Sequence, residues 1–251
     1  DEAVRFLQPG RRAVALNRVT GGLPTHIRGR LIADGNVWLA NPSGVMFHAG
    51  SVVDVGGLIA TTSEIDPDAF MRGEARFVPG AEPGARIVNE GRITFAEAGL
   101  VGIVAPEVEN RGVIEGRLGR IVMAGRESFS VEVSGDGLFE IDLADAAPGE
   151  AGRAANLGRL AAEGGTVVIT AASVRDAVEA AVHAGGVIEA TSARVEETGA
   201  IVLDGGAGAV EVSGRLDASG ARGGTIDATG GTVTLRAGAR LDASGAAGGG
   251  R

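Results

Sequence analysis

The chain repeats itself at an interval of twenty-odd residues, and that period limits what it can fold into more than any other feature. Asn89-Glu90-Gly91-Arg92-Ile93 returns 21 residues later as Asn110-Arg111-Gly112-Val113-Ile114. Leu216-Asp217-Ala218-Ser219-Gly220 returns 25 residues later as Leu241-Asp242-Ala243-Ser244-Gly245. Gly-Gly-Thr followed by a β-branched residue begins at positions 164, 223 and 230. A unit this short cannot bury a core alone, so such periods mark solenoids, in which each unit stacks on its neighbours.

The residues inside each unit select the kind of solenoid. Thr166-Val167-Val168-Ile169-Thr170 and Thr232-Val233-Thr234-Leu235 are β-branched and too short for paired helices. Valine and isoleucine replace the leucine grid that a leucine-rich repeat needs. Each rung therefore reads as two or three short strands joined by Gly, Asn and Asp turns, where positive φ is inexpensive. About ten rungs stacked at ~4.8 Å give a rod roughly 50 Å long. The expected fold is an all-β, right-handed parallel β-helix. Composition agrees: there is one tryptophan, no tyrosine, and no aromatic after Phe139. A thin stack of aliphatic layers can do without large rings; a broad globular core seldom does.

Two segments break the strand pattern. In Asp66-Pro67-Asp68-Ala69-Phe70-Met71-Arg72-Gly73, Asp can cap, Pro suits the first helical position and Gly can close the end, so 66–73 predicts a helical turn leaving the rod. Val174, Ala177, Val178, Ala181 and Val182 recur at helical spacing before Gly185, which predicts a short amphipathic helix over 173–184, with a long loop as the alternative. Composition divides the chain into an aromatic-bearing part, 1–145, and a Gly/Ala-rich continuation, 146–251, with Ala144 to Gly158 as the junction.

The net charge is −9 and no Lys/Arg run stands out, which argues against nucleic acid as a partner. No apolar run approaches a membrane span, so membrane insertion is not expected. The absence of cysteine fits either chance or a chain that must stay free of disulfides while it crosses a pore. His26, His48 and His183 show no metal-ligand spacing and read as surface or rung-edge residues. Glu107 and Glu109 should share the outer face of a strand. Asp217 and Asp242, one repeat apart, could stack, but a solvated turn is the simpler reading. No catalytic constellation, metal site or cofactor motif emerges, and the expectation is a non-enzyme.

A longer ordered stretch, Leu16 to Ile65, carries a resemblance. It contains Asn17-Arg18-Val19-Thr20-Gly21-Gly22, Ile27-Arg28-Gly29-Arg30-Leu31 and Gly35-Asn36-Val37-Trp38-Leu39. Asn41-Pro42-Ser43-Gly44-Val45-Met46-Phe47 and Val53-Asp54-Val55-Gly56-Gly57-Leu58-Ile59-Ala60-Thr61-Thr62 follow. These residues resemble the secretion domain of filamentous-haemagglutinin-type exoproteins of two-partner secretion systems. Looser similarity continues through Val108-Glu109-Asn110-Arg111-Gly112 toward the C-terminus.

The resemblance implies a right-handed parallel β-helix at the N-terminus of a large exoprotein, usually an adhesin. It implies passage through the periplasm to the cell surface or beyond. The implied partner is an outer-membrane barrel transporter whose periplasmic modules recognise the domain, and β-helix folding would begin at the surface. Asn41, Pro42, Ser43 and Gly44 are the candidate recognition and turn motif, supported by Asn17, Arg18, Gly21, Gly22, Gly56 and Gly57. The family's turn is usually Asn-Pro-Asn-Gly, so Ser43 is a departure, expected to alter the turn's detail because serine tolerates positive φ less well. The family domain also begins several tens of residues before its Asn-Arg-Val segment, so a first rung or cap is expected to precede residue 1. Trp38 and Phe47, flanking the turn, are expected to stack inside the rod, with a partner-binding patch as the alternative. Host or cell-surface ligands and homotypic end-to-end assembly are further partner classes. Two rival functions stay open: a self-assembling filament subunit, and a β-helix polysaccharide lyase or hydrolase.

Overall fold

The computed structural model describes residues 2–80, 82, 84–133, 138–143, 151–171, 181–192, 194 and 197–251. Among them, short strands stack into three parallel sheets of nine, eight and eight strands. The chain visits the sheets in a fixed order, and we call the resulting faces A, B and C. The first rung is Ala3–Phe6, Val14–Arg18 and Thr25–Ile27; the second is Arg30–Ala33, Asn36–Ala40 and Val45–Phe47. At ~4.8 Å per layer the rod is roughly 40 Å long. It holds fewer rungs than expected because part of the chain leaves it.

Two-residue periodicity builds the interior. On face B, Val37, Leu58, Val101, Ile121, Val167 and Ile201 are register partners, rung upon rung, and all are buried. Face A supplies Val53, Ile93, Ile114, Leu160, Ile188 and Leu216 in the same way. Burying each such side chain contributes about 1.5–3 kcal/mol, which is how a core without rings holds the rod together. Both predicted repeats align as register partners, Asn89 with Asn110 and Leu216 with Leu241.

Glycine marks the corners because stacked turns leave no room for a Cβ. A Cβ on Gly112, Gly158, Gly186 or Gly214 would collide with the carbonyl oxygen of the glycine one rung earlier. Beside this corner, three asparagines close the rung interior. Asn89 Nδ2 donates to Asn110 Oδ1 at 2.8 Å, and Asn110 Nδ2 donates to Asn156 Oδ1 at 2.8 Å. All three are fully buried. The third member, Asn156, lies 46 residues from the second, so the sequence period hides it.

The extra length is an excursion from face B. Glu64–Ile65, Arg76–Val78, Phe129–Val133 and Phe139–Asp142 form an antiparallel four-stranded sheet. It covers the outer side of face B and encloses a second core with Trp38, Ile59, Val104 and Val122. Trp38 therefore points out of the rod, not into it as expected, and meets Phe70 and Phe139 at ring-centroid distances of 5.4 and 5.8 Å. Phe77 and Phe129 stack at 4.3 Å beside it. Phe47 is buried within the rod, as read. The aromatic-rich half of the sequence is thus the half with a second core to fill.

The predicted turn of helix at 66–73 is present as Pro67–Met71. Asp66 Oδ1 caps it, accepting from the backbone N–H of Asp68 at 2.7 Å and of Ala69 at 3.2 Å. Most of the second predicted helix, 173–180, lies outside the described residues. Its end is corrected: Val182–Ala184 is a face C strand between Ala154–Asn156 and Val210–Val212. Val182 stacks inward on its neighbours, so an apolar residue that completed a helical period belongs to the rung interior. Of the proposed junction, 144–150 lies outside the described residues. Parallel pairing of Glu107–Asn110 with Arg153–Asn156 carries face C across it.

Candidate functional site

The Asn41-Pro42-Ser43-Gly44 segment is the turn from face B to face C in the second rung. Asn41 is buried and organises it. Its Nδ2 donates to Leu23 O at 3.0 Å and Thr25 Oγ1 at 2.8 Å, both in the first rung. Its Oδ1 accepts from Ser43 N at 2.9 Å, and its carbonyl accepts from Gly44 N at 2.9 Å. Its own N–H donates to Thr61 O in the third rung at 2.9 Å. One residue thus ties three rungs together.

Gly44 has φ of 106°, a region that penalises a side chain, and a Cβ there would lie 2.8 Å from Arg86 O. Ser43 is not in that region. The backbone conformation at position 43 therefore makes no demand for asparagine. What reaches the surface is Pro42 and Ser43, both half-buried.

Stacking brings a second motif to the same corner. Arg18 pairs in register with Ala40, and Val19 N donates to Ala40 O at 2.9 Å. Arg18, Thr20, Gly22, Pro42, Ser43 and Glu64 line one shallow depression there. Gly22, with φ of 68°, turns the chain at its rim. Asp66 begins the excursion helix nearby. Backbone N–H groups of Ala69 and Asp68 hold its carboxyl below the usual range, with smaller help from Arg72 and Arg18. The depression thus carries an exposed guanidinium, hydroxyls and a carboxylate, and the described residues around it offer no nucleophile–base pair.

The other predicted residues are not among those lining the depression. Asn17 sits at the end of the rod, its Nδ2 donating to Ala15 O at 3.1 Å. Gly21 is exposed in the loop before Gly22. Gly56 and Gly57 lie at the A-to-B corner, away from the depression; a Cβ on Gly56 would sit 2.8 Å from Gly35 O. Glu107 and Glu109 do face outward together, but Arg111 grips Glu109 through Nε at 2.8 Å and Nη2 at 3.1 Å. Glu107 has Arg86 and Arg153 as register neighbours.

Asp217 and Asp242 stack as register partners, yet Asp217 is no solvated turn. It is 4% exposed, and its Oδ1 accepts from Ser219 N at 2.9 Å and Ser219 Oγ at 2.6 Å while Arg215 pairs with Oδ2. Asp242 is exposed, and hydrogen bonds from the Ser244 hydroxyl and backbone N–H hold its carboxyl below the usual range. His183 Nδ1 lies 3.5 Å from Glu211 Oε1. His26 and His48, scattered in sequence, come together one rung apart.

Comparison with known proteins adds what the geometry alone does not. A model of the TPS secretion domain matches residues 1–218. The heme/hemopexin-binding protein of Haemophilus influenzae is 49% identical over 63 residues, 25% of this chain and 7% of that protein. Its counterpart in H. influenzae strain ATCC 51907 / DSM 11121 / KW20 / Rd is 47% identical over 66 residues, 26% of this chain and 7% of that protein. The matches thus span only a small part of these curated relatives. The crystal structure of the HMW1 secretion domain from H. influenzae superposes with a TM-score of 0.79 at 25% identity, covering 97% of this chain and 73% of that one. The chain belongs to the TPS secretion domain family.

Proposed function

We propose that the B-to-C corner of the first two rungs is what this secretion domain presents to the periplasmic modules of its outer-membrane transporter. Membership of the family makes the chain the secretion domain of a large exoprotein, exported through the periplasm to the cell surface or beyond, with an outer-membrane transporter as partner. The observation that supports the corner is the joining of Arg18, Thr20 and Gly22 with Pro42 and Ser43 around one depression, although the two motifs are separate in sequence. Asn41 is the corner's scaffold, and Arg18 and Ser43 are the groups a partner can touch.

The domain acts by recognition and by templating, not by chemistry on a substrate. The family is not an enzyme family, and the outward carboxylates Glu109 and Asp217 are occupied by arginines. Each rung offers the next a full set of backbone donors and acceptors, so folding outside the cell can draw chain through the transporter. The test is binding of the purified periplasmic modules to the wild-type domain and to Arg18→Glu and Ser43→Lys. Loss of binding with an unchanged circular dichroism spectrum supports the corner; equal binding by all three proteins refutes it.

A further inference from the structure

We propose that His26, Met46 and His48 form a surface site for a copper ion on face C of the first two rungs. The two histidines are one rung apart, and His26 Nδ1 and His48 Nε2 share a 2.9 Å hydrogen bond, whose place a bound ion would take. Met46 is the register partner of His26 across the parallel ladder. His48 lies two residues beyond Met46 and so projects from the same outer side. Phe47, between them, and Val45, just before Met46, point into the rod and are buried. The strand alternation that builds the core thus also gathers two imidazoles and a thioether on one patch of surface.

The spacing suits chelation. Nitrogens this close can meet one ion at ~2.0–2.1 Å each once the rings turn from each other. Imidazole ligands suit copper, nickel and zinc, and among these divalent ions Cu(II) binds a given site most tightly. Among the described residues, no group of three or more His, Asp or Glu side chains gathers there, so the open positions are left to Met46 and water. A thioether is soft and favours copper, Cu(I) above all. The backbone holds the patch in place: His48 N donates to Ile27 O at 2.9 Å, and His48 O accepts from Ser51 N at 2.9 Å. Turning the rings toward an ion therefore breaks their mutual hydrogen bond and leaves the ladder intact. Glu90, whose N–H donates to Phe47 O at 2.8 Å, enters beside His48 from the next rung and adds negative charge; its carboxylate lies 3.5 Å from Arg111.

The experiment titrates the purified chain with Cu(II), Ni(II) and Zn(II) by calorimetry, with glycine as a competitor to suppress weak sites. Electron paramagnetic resonance of the Cu(II) sample reports nitrogen coordination. One Cu(II) per chain is expected, bound more tightly than Ni(II) or Zn(II), with a tetragonal two-nitrogen spectrum. His26→Ala and His48→Ala should each weaken Cu(II) by at least about tenfold, no less than the loss of an outer-shell partner. His183→Ala should change nothing. Met46→Leu should weaken Cu(I), measured by competition with a chromophoric Cu(I) chelator, far more than Cu(II). Circular dichroism of each variant verifies the rod. Equal Cu(II) affinity in the wild type and the His26→Ala/His48→Ala double variant would overturn the site, as would Cu(I) affinity indifferent to Met46.

Discussion

Replacing Asn110 with alanine should harm this rod far more than its size suggests. The side chain is fully buried and makes two hydrogen bonds of 2.8 Å, accepting from Asn89 and donating to Asn156. Alanine breaks both. Asn89 Nδ2 keeps only a 3.4 Å approach to Gly91 O, and Asn156 Oδ1 loses its donor inside a dry interior. Each buried polar group left unpaired costs about 1–3 kcal/mol, so the pair implies a loss of about 2–6 kcal/mol. Changing all three asparagines to leucine removes the ladder's donors and acceptors together and strands the Gly91 N–H, which donates to Asn89 Oδ1 at 3.1 Å, so it should cost about 1–3 kcal/mol. The triple variant should therefore be more stable than Asn110→Ala alone. Urea unfolding followed by circular dichroism measures both. A loss below about 1 kcal/mol for Asn110→Ala, or a triple variant less stable than the single one, would refute the reasoning.

Three further outcomes follow from the same structure. Trp38→Ala should cost about 3–5 kcal/mol, confined to the second core, so hydrogen exchange should quicken at Phe77 and Phe129 while Ile103 and Ile121 in the rod stay protected. Gly112→Ala sets a Cβ against the Gly91 carbonyl and should lose at least about 1–3 kcal/mol, read from the urea midpoint. Asp66 has its folded pKa depressed by the helix N–H groups, so its contribution is fully present above the ordinary value of 3.8 and is lost as pH falls through the lower folded value. Amide shifts of Asp68 and Ala69 should titrate below pH 3.8; a midpoint at or above it would contradict the cap.

The solenoid was legible because its rules are local: valine and isoleucine alternate with outward residues, and glycine stands where stacked turns exclude a Cβ. The excursion helix was legible for the same reason, since Asp66, Pro67 and Gly73 are all local signals. The antiparallel sheet was not. Its strands are two to five residues long, and Ser63 reaches Glu127 across 64 residues, so no window of sequence holds the pairing. Trp38 was misplaced because alternation places it on face B but does not say that a second sheet covers that face. Asn156 was missed because the second excursion stretches one repeat to 46 residues. His26 and His48 are 22 residues apart in sequence and one rung apart in the solenoid, so spacing along the chain hides their proximity. The corner itself was half legible: the motifs were visible, but the burial of Asn41 and the exposure of Arg18 depend on how the rungs stack.

The most direct test is export. The domain, with its natural leader and its transporter, would be expressed in bacteria, and the secreted fraction compared for the wild type, Arg18→Glu, Ser43→Lys and Arg159→Ala, the last a control on face A. Sharply reduced export of the two corner variants, with control-level export of Arg159→Ala and unchanged urea midpoints for all, is the predicted result. Full export of both corner variants would contradict it.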